Sequence, residues 1–110
     1  MPTIYKVLGQ SAPTNTSNVD LYTVGAGKQA VISSLTVTND TGTAATGRIF
    51  IRVAGAAAGL TNALVYDSTF AANSVNAFTF GITLSATDVV TVQTGTSNAL
   101  TFMAFGSEIS

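Results

Sequence analysis

The chain has 110 residues, enough for one domain with one hydrophobic core. Only 8% of them are Asp, Glu, Lys or Arg and the net charge is -1, so four scattered cations (Lys6, Lys28, Arg48, Arg52) build no basic patch for nucleic acid or an anionic membrane. With no His and no Cys, the sequence has no Ser-His triad, thiol nucleophile, disulfide or thiolate zinc site.

The first segment, Met1-Pro-Thr-Ile-Tyr-Lys6, lacks a charged stretch followed by an apolar one, so no secretory signal is expected. Nowhere does an apolar run approach the ~20 residues of a spanning helix. Ile4 to Leu8 reads as a short strand or arm. Ser11 to Asn18 is polar and contains Pro13, which makes it a linker. The division expected is an arm and linker over 1–18 and a body over 19–110.

Period-2 alternation then dominates. Val19 to Val24 is a strand. Gly25-Ala-Gly-Lys28 resembles the end of a phosphate-binding loop, but Tyr22 and Gln29 stand where that motif needs Gly and Ser or Thr, so it reads as a turn. Val31 to Asn39 is a strand with Val31, Ser33, Leu35 and Val37 on one face, and Asn39-Asp-Thr-Gly42 reverses the chain. Thr46 to Ala54 alternates cleanly, with Ile49, Ile51 and Val53 on one side and Arg48, Phe50 and Arg52 on the other. Ala54 to Leu60 is a loop between glycines. Ala63 to Ser68, Val75 to Thr83, Asp88 to Thr94 and Ala99 to Phe105 complete the strands.

Seven to eight short strands and no helix predict an all-β fold, an antiparallel β-sandwich that is jelly-roll-like. An immunoglobulin-like order also fits the spacing, without the Cys–Trp–Cys core of true immunoglobulin domains. The expected core includes Leu35, Val37, Ile49, Ile51, Val53, Phe78, Phe80, Val90, Val92 and Phe102.

No segment carries a catalytic pattern. Asp20, Asp40, Asp67 and Asp88 lie some twenty residues apart, whereas calcium loops cluster their acids, so they read as solvated caps and turn acceptors. Asn15-Thr-Ser17 and Asn39-Asp-Thr41 match the glycosylation pattern but read as Asn-rich turns. No catalytic residue, cofactor or metal is expected, and the chain is not read as an enzyme.

Two segments point to contacts with other molecules. Arg48, Phe50 and Arg52 share a strand face that meets either water or a partner's ring or sugar. Ala99 to Phe105 is apolar on both sides: Leu100, Phe102 and Ala104 one way, Ala99, Met103 and Phe105 the other. One side needs cover, from a loop or from another chain, and the low charge favours another chain.

Lys6-Val-Leu-Gly-Gln-Ser-Ala-Pro13, Asp20-Leu-Tyr-Thr-Val24, Ala30-Val-Ile-Ser-Ser-Leu-Thr-Val37, Gly81-Ile-Thr-Leu-Ser-Ala-Thr-Asp-Val-Val90 and Phe105-Gly-Ser-Glu-Ile109 together resemble small virion proteins of tailed bacteriophages, most of all capsid decoration (cement) proteins. Similar chains carry Pro in the turn where this one has Gly25. The resemblance implies a β-sandwich that assembles as a homotrimer and attaches to the outer shell, with no catalytic residues. The expected role is a structural virion protein, synthesised in the bacterial cytoplasm, that decorates and stabilises the outer capsid surface by binding the major capsid protein, without nucleic acid or membrane. The interface residues expected are Ile4, Val7, Leu8, Arg48, Phe50, Arg52, Met103 and Phe105. The alternative is a tail or fibre module that binds host carbohydrate or receptor through Tyr5, Tyr22, Tyr66 and Phe50.

Overall fold

The computed structural model describes residues 3–110, apart from the Phe80 side chain. Eight strands follow in order: β1 (Thr3–Ser11), β2 (Val19–Thr23), β3 (Gln29–Asn39), β4 (Ala45–Arg52), β5 (Ala63–Phe70), β6 (Ser74–Leu84), β7 (Val89–Thr94) and β8 (Leu100–Ile109). Their Val, Ile, Thr and Phe content suits a pleated, half-buried surface. Two 3-10 turns, Val53–Gly55 and Leu60–Asn62, interrupt the β4–β5 connection.

The strands form two four-stranded sheets, ordered β1-β8-β3-β6 and β2-β7-β4-β5. β1 pairs with β8, β2 with β7, β3 with β6 and β4 with β5, all antiparallel. These pairs nest inside one another, as when a long hairpin is rolled up. The β3–β8 and β4–β7 ladders then close the two sheets. That nesting is a jelly roll and decides between the two sandwich orders open to the sequence.

The core lies between the sheets. Ile32, Leu35, Val37, Ile49, Val90, Val92, Phe102 and Ala104 are fully enclosed. Ile51 and Phe78 are partly buried against this cluster. Phe70 meets Phe78 edge-on at 6.3 Å between ring centres, a favoured aromatic geometry. Asn39 is also enclosed; its amide donates to the Thr43 and Phe70 carbonyls at 3.0 and 3.1 Å. Phe80, expected in the core, lies outside the described side chains.

Three expectations are corrected. Val53 is not core: it is 66% exposed, because β4 ends at Arg52 and the chain turns through Ala54 and Gly55 at φ 53 and 75. Alternation stops counting where the strand stops. On β3 it is Ile32, not Val31, that joins Leu35 and Val37 in the core, because a bulge between Ile32 and Ser34 flips the parity.

The third correction concerns the arm. Residues 3–11 do not lie apart from the body; they pair with β8 from Thr3–Ile109 to Ser11–Phe102 and form a sheet edge. Leu8 sits in a bulge of this strand and reaches the core. Gly9 permits the closure, since a Cβ there would collide with the Leu21 carbonyl of β2. The linker is docked as well: Pro13 is buried, its carbonyl accepts from Asn98 N at 3.1 Å, and Thr16 O accepts from Gln93 Nε2 at 2.6 Å.

Candidate interaction surfaces

Residues directly paired across a ladder share a face. The outer face of the β1-β8-β3-β6 sheet therefore carries three full rows: Tyr5–Ser107–Val31–Thr83, Val7–Phe105–Ser34–Thr79 and Gln10–Met103–Thr36–Ala77. A shorter row, Thr101–Thr38–Val75, follows. None of these side chains is charged. Tyr5 is 84% and Val75 70% exposed, and Val7 is exposed between them and the half-buried Met103 and Phe105. The polar members are hydroxyls and one amide, and Gln10 Nε2 reaches Met103 Sδ at 3.8 Å.

The charges of this sheet, Lys6 and Glu108, stand in the inward rows and pair at 3.1 Å. Tyr22 of the other sheet donates its hydroxyl to Glu108 at 2.5 Å. The Tyr22 hydrogen bond, followed by that of Lys6, holds the Glu108 carboxyl below its usual range. Burial, then the adjacent carboxylate, pushes the Tyr22 phenol above its own. This triad links the two sheets.

The opposite outer face, on β2-β7-β4-β5, has a different character. Arg48 chelates Asp67 through Nε at 2.6 Å and Nη2 at 3.0 Å, and its guanidinium lies 4.1 Å above the Tyr66 ring. Each partner favours the charged form of the other, chiefly through that hydrogen bond, so Arg48 is raised and Asp67 lowered. The pairing depends on a bulge: Gly47 faces Ser68 and Ile49 faces Val65, so Tyr66 and Asp67 both oppose Arg48. Asp67 takes φ 54 there, a conformation that Asp tolerates better than most residues. Phe50 is buried on this side with Tyr66 edge-on at 6.4 Å.

Arg52 organises the β4–β5 connection. Its Nε donates to Ala56 O at 2.7 Å and Nη2 to Gly55 O at 2.9 Å, while Nη1 meets Asp20 at 3.1 Å and Thr91 Oγ1 at 3.2 Å. Asp88 accepts from Ala54 N and from Ser85 N, both at 2.9 Å. Segment 53–62 is thereby folded back over the sheet.

The expected interface residues thus divide. Val7, Met103 and Phe105 come together on the uncharged face. Ile4 lies at the exposed end of an inward row, and Leu8 is spent on the core. Arg48, Phe50 and Arg52 do share a face, but each is engaged within the chain. Asp88 is buried rather than a solvated cap. Asn15 and Asn39 do form the expected turns, accepting from Ser17 N at 2.9 Å and Thr41 N at 3.0 Å. Gly25 and Lys28 close a turn at 3.1 Å.

Sequence reasoning missed the anchorage of the loop by Arg52 and by Asp88 and the Lys6–Glu108–Tyr22 triad. The partners Ala54–Asp88, Arg52–Asp20, Lys6–Glu108 and Tyr22–Glu108 stand 34, 32, 102 and 86 positions apart, so no local spacing signals them. A hollow of about 320 Å³ at the sandwich end is lined by Gln29, Ala30, Val31, Thr83, Leu84, Ser85 and Ile109, none of them titratable. Among the described residues, no group of three or more acidic, His or Cys side chains is placed to hold a metal. No described helix is long and apolar enough to cross a membrane.

No family model matches the chain, and no curated protein matches it. The fold is similar to that of a chain in the structure of infectious bursal disease virus, Gx strain, with TM-score 0.51 and 13% identity over 97% of this chain. A chain in the structure of the Gt strain matches 96% of this chain with TM-score 0.40 and 10% identity. The chain spans about a third of the length of either, 31% and 32%. The Gx likeness concerns the fold of the chain.

Proposed function

We propose that this chain is a structural virion protein that decorates the outer surface of an assembled phage capsid, as a homotrimer bound to the major capsid protein. The observation that carries this reading is the uncharged outer face of the β1-β8-β3-β6 sheet. Depleted charge together with Tyr5, Phe105 and Met103 on the same face matches the centre of an interface. A face without charge also meets its own copy with no like-charge cost, and closed symmetry hides it without open-ended growth. The jelly roll shared with a chain of a virus particle supports the setting. The threefold state, the phage and its bacterial host rest on the resemblance of the sequence.

Light scattering on the full chain reads the oligomer mass, and co-sedimentation with heads stripped of this protein reads binding. A trimer that pellets with heads is expected. A monomer that ignores heads refutes the reading. The sugar-binding alternative draws on aromatic platforms, and these do not assemble: Tyr22 and Phe50 are buried, Arg48 covers Tyr66, and Tyr5 lies on the other sheet. Reproducible signal on a glycan array would favour it over decoration.

A further inference from the structure

β1 is divided by its own bulge. The ladder to β8 runs in step from Thr3–Ile109 to Val7–Phe105, shifts at Leu8, and resumes from Gly9–Ala104 to Ser11–Phe102. The two halves are held differently. Leu8 is packed in the core, and Gly9 lies against the Leu21 carbonyl of β2. Residues 3–7 have exposed side chains throughout. Among the described residues, the pair of Lys6 with Glu108 at 3.1 Å is their one polar side-chain tie to the body. Half an edge strand with a single such tie belongs to the least stable part of a fold.

Glu108 is placed to act on that tie. It belongs to β8, opposite Ile4 of β1 on one side and Ala30 of β3 on the other. Its side chain is only 13% exposed. It meets Lys6 and accepts from the Tyr22 hydroxyl at 2.5 Å, so one carboxylate joins β1, β8 and β2. The charged and titratable groups that face it are Tyr22 from β2, Lys6 from β1 and, at longer range, Lys28 from the turn before β3. All three favour the carboxylate, and burial alone opposes it. Protonation removes the charge that attracts Lys6 and leaves Tyr22 with a neutral, weaker hydrogen bond.

We propose that Glu108 is an acid-sensitive latch: as a carboxylate it holds residues 3–7 of β1 on β8, and once protonated it lets that half peel away while residues 8–11 stay seated. The bulge at Leu8 is the hinge. Release bares the β8 edge from Phe105 to Ile109, an open row of backbone donors and acceptors. The carboxyl is held low in the folded state, so the latch is closed above the unfolded pKa of about 4.3 and opens as pH falls through the folded value. Every group in the device belongs to one chain, so it stands apart from the decoration reading.

The test is hydrogen exchange of the full chain, with residues 3–7 and 8–11 read separately and each rate divided by its intrinsic value at that pH. From neutral pH to about pH 3, protection of residues 3–7 should fall by about tenfold, the scale of a charge-assisted hydrogen bond, while that of 8–11 holds. Glu108→Gln keeps a side-chain oxygen for Tyr22 but no charge; its residues 3–7 should be weakly protected at neutral pH and change little on acidification. Lys6→Met removes the tie at an exposed position, so it keeps the fold even where Glu108→Gln does not, and its residues 3–7 should also open at neutral pH. Wild-type residues 3–7 that stay equally protected in acid overturn the proposal. Equal loss over 3–7 and 8–11 overturns it too, because the whole strand then unfolds together. Variants that protect residues 3–7 as well as wild type at neutral pH show that the ladder alone holds them, and also overturn it.

Discussion

Replacing Gly9 with alanine tests whether β1 is part of the body or a free arm. Gly9 stands in the inward row Gly9–Ala104–Leu35–Phe78 and faces β2. A Cβ at this position would overlap the Leu21 carbonyl oxygen and lie 3.1 Å from the carbonyl carbon and 3.2 Å from Leu21 Cγ. The obstacle is backbone, so no rotamer change relieves it; β1 and β2 must separate. Overpacking of this kind costs about 1–3 kcal/mol. In a domain of this size that lowers the melting temperature by about 4–12 °C. Gly42→Ala is the control, because nothing lies within 4 Å of a Cβ built there. Thermal unfolding followed by circular dichroism measures both. A Gly9→Ala protein melting within about 2 °C of wild type, no further than the control, would show that residues 3–11 are not held against β2 and would restore the free arm.

Val53→Asp is expected to stay within about 0.5 kcal/mol of wild type, as at an ordinary surface site. Ile49→Asp, fully enclosed, should abolish the cooperative unfolding transition by burying an unpaired charge. Glu108 has its carboxyl held low in the folded state, so its contribution is present above the unfolded pKa of about 4.3 and is lost as pH falls through the folded value. Melting temperature measured against pH should fall more steeply on the acid side for wild type than for Glu108→Gln; parallel curves would refute the coupling. Excess EDTA should leave the melting temperature unchanged, and a drop of about 5 °C would reveal a structural cation.

The eight strands were legible because each carries its own period-2 pattern and each boundary its own turn residues. Phe102 was expected in the core, and it is buried together with Leu100 and Ala104, which share its side of β8. Met103 and Phe105 were assigned outward, and they stand on the uncharged face with Val7. The failures of parity share one cause. Alternation assumes an unbroken pleat, and bulges at Leu8 and Ser33 and the end of β4 at Arg52 break it. Phe50 looked accessible because it alternates with two arginines. It is buried with Tyr66 of β5 packed edge-on against it, and no local pattern announces that contact.

The sequence by itself determined the class of the fold, the low charge that limits what the surface can bind, and the heart of the core at Leu35, Val37, Ile49, Val90, Val92 and Phe102. These are properties of single residues and of short windows. Only the tertiary structure decided which strands are neighbours, since β1–β8 and β2–β7 join residues from opposite ends of the chain. It also decided where the charges went. Sheet pairing gathers Arg48, Arg52, Asp20 and Asp67 on one face, turns Lys6 and Glu108 inward, and leaves the other face with none among the described residues. Charge segregation of this kind is set by strand register, because a one-residue slip would move every side chain to the opposite side.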